Sequence, residues 1–345
     1  MLGRVEMNNS NINDVLAIGN AIVDIIAKVD YEFLEQNNLV SGSMTLINEE
    51  KAIELQDSLN AISYYPGGSA ANTLAGFAKL GGKCKFVGKT GVDDLASVFK
   101  KHVINNGISF ADVPSVKNLP TARCVVMVTP DAQRTMCTFL GASNMLTKED
   151  LNYNDIMLSK IIYLEGYLFD LPACKDAFLY SVNVAKKLNK IISLSLSDSF
   201  CVERHRNSFM ELLKNGIDIL FTNSSEIMSL FETDDFNKIT NQISKYAKIG
   251  VITKGSEGAD IISLGKKEHI PSLETKLVDT TGAGDLFASG FLAAYTKNQP
   301  LKTCGILGSV CASKVISHFG AQPQDDLLDF VRSFGFAEDL SYKVE

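Results

Sequence analysis

The sequence predicts an α/β fold, with a mainly parallel central sheet flanked by helices on both faces and a small β-sheet acting as a lid. Three observations carry this. Short apolar runs alternate with helical segments of about ten or more residues along most of the chain, as in a sheet whose strands are covered on both sides. Several runs end in glycine-bearing turns, and ligands of such sheets bind beyond the carboxyl ends of the strands. Residues 121–129 and 134–139 are strand-like runs joined by Pro130, Asp131, Ala132 and Gln133 with no helix between, so they read as a β-hairpin outside the alternation.

In chain order, a polar tail is expected over 1–14 and one kinase-sized α/β domain over 15–345, with lid segments near 22–48 and 110–141. Val15 to Gly19 reads as a buried strand, and Ile22 to Val29 alternates imperfectly, as a half-exposed strand does. Met44 to Ile47 is a further short strand for the small sheet. Residues 49–60 suit a surface helix with Asn48 as N-cap. Gly67 and Gly68 open an alanine-rich helix from Ser69 to Leu80, which Gly81 closes. A strand at Cys84 to Gly88, a helix over 93–105 and strands at 160–164, 191–196, 217–221 and 249–253 continue the rhythm, before an apolar helix from Leu286 to Tyr295.

Composition narrows the function classes. With 345 residues, 46% of them hydrophobic, the chain can bury a sizeable core, which excludes a disordered tail or a peptide hormone. Thirty-three basic against 40 acidic residues give a net charge of -7, unlike a nucleic-acid or anionic-membrane binder. The 7 cysteines are scattered without a CxxC pair, which points away from disulfides and thiolate zinc and toward a reducing compartment. No apolar run approaches the ~18 residues of a membrane span, and the expected setting is cytoplasmic.

The stretch Asp279-Thr-Thr-Gly-Ala-Gly-Asp285 is the most informative. Gly282, Ala283 and Gly284 at a helix start let backbone N–H groups approach an anion, where the positive helix end also favours it. Asp285 in the first turn can take a proton from a substrate hydroxyl beside that site. A glycine turn followed by a favourably placed acid would look the same. Gly88-Lys-Thr90 fails as a P-loop because the glycine it requires upstream is Lys83. No GxGxxG follows a strand, which removes the dinucleotide fingerprint.

Elsewhere, Gly67 and Gly68 permit close approach of a ligand, and Asn72 one turn in can grip hydroxyls. Asn20 and Asp24 follow the first strand, where an acid among apolar residues needs a partner or a function. Asn223 and Glu226 follow another strand and suit water-mediated magnesium binding, although the same spacing makes a capping box. Thr253, Gly255 and Gly258 suit a nucleotide, and the four histidines show no ligand spacing.

In order, GGSAANT, GKTGVDD, NSSE, TKGSEG and DTTGAGD resemble the successive motifs of the ribokinase-like, PfkB-type carbohydrate kinases over about residues 15–335. The resemblance implies a ribokinase-like fold, ATP and Mg2+, and small-molecule substrates with no macromolecular partner beyond a possible second copy, the chain being monomer or homodimer. It makes Asp285 the base, and Gly282, Ala283 and Gly284 the anion hole. Asn20, Asp24, Gly67, Gly68, Asn72 and Glu165 would hold the acceptor. Asn223, Thr253, Gly255 and Gly258 would serve the nucleotide, and Glu226 the magnesium. Asp279, Thr281 and Gly320 would take a monovalent cation such as K+, although Gln324 departs from the serine that some ribokinases carry after GAQP. GNAIVDI and RTMCTFLGAS look like the adenosine kinase branch, which implies a nucleoside 5′-hydroxyl as acceptor. Phe139 in that hairpin could stack on a base or belong to the hairpin core. The alternatives are a sugar kinase acting on ribose or fructose, and a silent sensor that keeps the fold without the chemistry.

Overall fold

A computed structural model describes residues 12–60, 62–131, 133–324 and 326–342. The expected polar tail lies outside the described residues up to position 11, as does Ala132 of the hairpin turn. The strands are β1 (Asn13–Ile18), β2 (Ile22–Lys28), β3 (Met44–Leu46), β4 (Ser63–Gly67), β5 (Cys84–Val87), β6 (Ser109–Phe110), β7 (Ala122–Val128), β8 (Arg134–Phe139), β9 (Ser159–Glu165), β10 (Ile191–Ser195), β11 (Ile217–Asn223), β12 (Ala247–Thr253), β13 (Ala259–Ser263) and β14 (Lys266–Ile270). The helices are α1 (Tyr31–Gln36), α2 (Glu49–Ser58), α3 (Ser69–Lys79), α4 (Asp94–Asn105), α5 (Tyr153–Met157), α6 (Pro172–Lys187), α7 (Ser199–Lys214), α8 (Ser224–Phe231), α9 (Phe236–Tyr246), α10 (Ala283–Thr296), α11 (Leu301–Val315) and α12 (Leu327–Ser333). Asn13 and Asp14, assigned to the tail by sequence, already belong to β1.

Nine strands form the large sheet in the order β14-β13-β12-β11-β10-β9-β1-β5-β6. From β6 to β12 neighbouring strands are parallel. Val15 and Ala17 of β1 enter the core under α3, α10 and α11, whereas Leu16 and Ile18 enter the core under α6 and α7. Alternate burial into two cores is why this strand reads as an unbroken apolar run. The chain leaves β1 toward β5 on one side and returns to β9 on the other, so strand order reverses around β1. A crevice opens beyond the carboxyl ends at such a switch point.

The helix–strand rhythm ends at β12. β13 and β14 add an antiparallel hairpin at the edge, and four of the five residues of β14 are exposed, which hides it from an apolar-run reading.

The small sheet has the order β3-β8-β7-β2-β4. It contains the expected hairpin, β2 and the 44–47 segment, and adds β4, which lies outside both expected lid segments. β4 carries Pro66 and is an edge strand, the position where a missing N–H is tolerated. One face of this sheet packs Val125, Met127 and Cys137 against Leu34 of α1 and Leu55 of α2. The opposite face presents Ile22, Cys124 and Met136 to the crevice.

Candidate active site

The two sheets enclose a cleft of about 760 Å³. Its floor is made by the carboxyl ends of β1, β9, β10, β11 and β12 and by the amino ends of α3 and α10.

Small residues bring those two helix starts together. A Cβ on Gly76 of α3 would lie 2.4 Å from Ser289 Oγ and 2.5 Å from Leu286 Cδ1 of α10, so only glycine allows this approach. Ser69 and Asn72, three residues apart on one helical face, then converge on Asp285. Ser69 Oγ donates to Asp285 Oδ1 at 2.6 Å, and Asn72 Nδ2 donates to Oδ2 at 2.9 Å. Withdrawal from water raises the Asp285 pKa above the ordinary aspartate value, against the two hydrogen bonds, which lower it.

The turn before Asp285 fits an anion, with one amendment. Gly282 has φ +78 and caps α10. Ala283 N–H donates to Thr280 O at 3.2 Å. Among the described residues the N–H groups of Gly282, Gly284 and Asp285 have no such partner, as expected of unsatisfied donors at a helix start. The amides free to meet an anion are therefore those of Gly282, Gly284 and Asp285, with the Ala283 amide already engaged.

The expected acceptor residues cluster at the same end. Asn20 N and Nδ2 donate to Glu165 Oε1 at 3.3 and 3.0 Å, while Glu165 Oε2 accepts from Ala70 N at 2.8 Å. Glu165 is 1% exposed, and its pKa is pushed up to about 7 by burial against these bonds. It locks Asn20 and the start of α3 in place and has little capacity left for a ligand. Asn20 Oδ1 is buried with no partner among the described residues, an acceptor that a substrate hydroxyl or amine would satisfy. Asp24 lines the cleft and takes no hydrogen bond among the described residues. Burial pushes its pKa up to about 7, against the nearby Arg134 guanidinium.

The paired glycines have distinct tasks. A Cβ on Gly67 would meet the Asp24 carboxylate at 2.5 Å, and one on Gly68, at φ +93, would meet Asn20 O at the same distance. Asn72, expected to hold a hydroxyl, has its amide committed, because Oδ1 accepts from Gln322 Nε2 at 3.1 Å. Gln322 received no role from the sequence although it belongs to the GAQP stretch, because its partner Asn72 lies 250 residues away. It also donates to Pro66 O at 3.2 Å and meets His102 Nε2 through Oε1.

At the other end of the cleft, Asn223, Thr253 and Gly255 line the wall. Gly258 does not. It has φ +92, and a Cβ there would lie 2.1 Å from Ile270 O, so this glycine serves the turn into β13 rather than a nucleotide. Asn223 and Glu226 form the capping box: Asn223 N and Nδ2 donate to Glu226 Oε2 and Oε1 at 3.0 and 2.6 Å, and Asn223 Oδ1 accepts from Glu226 N at 2.9 Å. Those two bonds leave about half of the carboxylate's four lone-pair sites available, and Glu226 faces the cleft. It therefore fits magnesium held through water, the mode that ion prefers beside phosphates. Among the described residues no three His, Cys, Asp or Glu side chains cluster as a cage of their own.

The monovalent-cation assignment to Asp279, Thr281 and Gly320 does not fit. Asp279 Oδ1 accepts from Thr281 N and Oγ1 at 3.0 and 2.8 Å, and Oδ2 accepts from Gly320 N at 2.8 Å and from Arg134 Nη2. Four donors fill a carboxylate, and the Thr281 hydroxyl is likewise engaged, accepting from Arg134 and donating to Asp279. Phe139 is also absent from the cleft lining, because on β8 Arg134, Met136 and Thr138 face the cleft and Phe139 is out of step with them. Lys89 of the failed P-loop pairs with Asp150 at 2.7 Å.

The profile of the pfkB family carbohydrate kinases matches residues 14–327. The chain belongs to that family. It is a phosphotransferase that acts on a hydroxyl group, with ATP as a substrate, and its similarity runs to the adenosine kinase branch of the pfkB family. It is 26% identical to adenosine kinase 2 of Arabidopsis thaliana over 339 residues, 91% of this chain and 96% of that protein. Among solved structures, a probable sugar kinase from Rhizobium etli superposes with a TM-score of 0.88 at 39% identity, covering 94% of this chain and 98% of the other. The adenosine kinase from Sinorhizobium meliloti superposes with a TM-score of 0.87 at 39% identity, covering 93% and 99%. This chain, with its large, mostly parallel sheet and second small sheet, thus has the ribokinase-like fold and shares it with these two solved structures. Among the described residues no helix is long and apolar enough to cross a membrane.

Proposed function

We propose that this kinase transfers the γ-phosphoryl group of ATP to the 5′-hydroxyl of adenosine or a closely related nucleoside. The observation that carries this reading is the make-up of the cleft wall beside the acceptor residues. Ile22, Met44, Leu46, Met136 and Leu140 line it from the small sheet and its connections, and Tyr167, in the turn after β9, and Phe200, in the first turn of α7, line it from the side of the large sheet. A free sugar has little apolar surface to bury there, whereas a purine face gains from such a wall. The adenosine kinase relatives support the same choice.

In this reading Asp285 accepts the proton of the attacking hydroxyl. Ser69 and Asn72 hold the carboxylate in a fixed orientation, so little reorganisation is needed at the moment of transfer. The free amides of Gly282, Gly284 and Asp285 meet the charge that spreads over the transferring phosphoryl oxygens. Asn20 Oδ1 and Asp24 orient the ribose, and Glu165 fixes Asn20. Asn223, Thr253 and Gly255 flank the nucleotide, and Glu226 would hold Mg2+ through water. That ion, when bound, offsets phosphate charge. The small sheet, segments 22–48 and 110–141 together with β4, serves as a lid that excludes water.

A coupled ADP-release screen over nucleosides and free sugars, with and without magnesium, tests the assignment. Adenosine should give the highest kcat/KM. Turnover of ribose or fructose with none of any nucleoside would replace it with a sugar kinase. ATP and acceptor binding without ADP release would replace it with a sensor.

A further inference from the structure

The aspartate that opens the signature turn already has a cation of its own. Arg134 on β8 reaches across the cleft, donating through Nη1 to Thr281 Oγ1 at 2.6 Å and through Nη2 to Asp279 Oδ2. Its side chain is 15% exposed and that of Asp279 is 5% exposed, so solvent and salt screen the pair weakly. Thr281 Oγ1 accepts from Arg134 while donating to Asp279 Oδ1, which fixes the guanidinium fork against both groups.

We propose that Arg134 takes the place of a monovalent cation at the signature turn, so that phosphotransfer by this chain requires none. Asp279 lies three residues before Gly282, and its uncompensated charge would oppose an anion at the free amides of the turn. The guanidinium offsets that charge permanently, since arginine does not lose its proton near neutrality. Arg134 belongs to the small sheet, whereas Asp279 and Thr281 belong to the loop before α10 on the other side of the cleft. The compensating charge therefore arrives with the small sheet. Displacing that sheet removes it, so the turn is ready for a phosphoryl group only when the cleft is covered.

This role of Arg134 rests on phosphotransfer but not on the identity of the acceptor. The test has two arms. In the first, KCl is replaced by tetramethylammonium chloride at constant ionic strength, and both ADP release with adenosine and the Tm of the free protein are followed. The expected result is a kcat within about twofold in the two salts and no specific rise in Tm with K+, because a bound ion would stabilise the fold by mass action. Activation of several-fold, or a saturable Tm rise with K+, overturns the proposal. If adenosine is not turned over, the Tm series still decides it, so failure of the acceptor assignment and failure of this inference are distinguishable.

In the second arm, Arg134→Ala is compared with wild type in both salts. A loss of about tenfold or more in kcat is expected in tetramethylammonium, with partial recovery on adding K+ or methylguanidinium, for loss of one buried ionic partner. A folded variant with unchanged turnover, or one that neither cation restores, overturns the charge role. Should the variant fail to fold, the salt dependence of the wild-type protein decides the question.

Discussion

Two glycines in one turn should fail in opposite ways when each receives a single methyl group. Gly282 adopts φ +78, and a Cβ there would sit 2.5 Å from Ala321 O and 2.7 Å from Ala321 Cα. Gly282→Ala therefore carries about 1–2 kcal/mol of left-handed backbone strain and a backbone collision on top of it. Thermal melting should show a clear drop in Tm, about 2–4 °C for each kcal/mol at a chain of this size or somewhat less. Gly284 has no heavy atom within 4 Å of a built Cβ and no unusual φ, so Gly284→Ala fits the folded chain. It stabilises the helix slightly, by up to ~1 kcal/mol. The added methyl, however, stands beside free amides in the space assigned to the transferring phosphoryl group. ADP-release kinetics should show Gly284→Ala with wild-type or higher Tm but kcat/KM for ATP reduced by about 100-fold, the scale of a ~1 Å misplacement. Wild-type kinetics for Gly284→Ala would refute the placement of the anion above this turn.

Two further outcomes follow from the same contacts. Burial pushes the pKa of Glu165 up to about 7 from the usual glutamate range, so between about pH 4.5 and 7 the folded state binds more protons than the unfolded state. Its stabilising contribution is present below that window and is lost as pH rises through it, so Tm should fall from about pH 5 to about pH 8, with a shallower slope in Glu165→Gln. Gln322→Leu removes the donor to Asn72 Oδ1 and Pro66 O. With Asn72 no longer held against Asp285, kcat should fall about tenfold, on the scale of one unsatisfied buried hydrogen bond. KM for ATP should stay unchanged, and an equal rise in KM would remove Gln322 from the positioning of the base.

What the sequence disclosed was set by range. Strands buried on both faces advertise themselves as apolar runs, and local caps are spelled out in neighbouring residues. Asn48 accepts from Lys51 N at 3.0 Å as its spacing required, and Gly282 stands at the helix start where the sequence put it. β4 and β14 were not legible, because edge strands need no apolar pattern and one of them carries Pro66. At the site, the same local logic both helped and misled. Asn223 and Glu226 form the capping box that their spacing allowed and still line the cleft, whereas Gly258 serves a turn and is absent from the cleft lining. Partnerships made from across the chain were not legible, even where the residues stood in stretches that the sequence singled out. Arg134 meets a loop 145 residues away and Gln322 an asparagine 250 residues away. The convergence of Ser69 and Asn72 on Asp285 was half visible, in that two polar residues share one face of a helix whose small residues invite close packing.

The most direct test is the turnover of Asp285→Asn with ATP and adenosine under saturating magnesium. The substitution keeps the side-chain shape, with its oxygen accepting from Asn72 Nδ2 and its amide donating to the Ser69 hydroxyl, but cannot take up the hydroxyl proton. With Tm and equilibrium binding of both substrates close to wild type, kcat should fall by about 10³-fold, within the range for a positioned general base. A folded Asp285→Asn protein that releases ADP within tenfold of the wild-type rate would contradict the account.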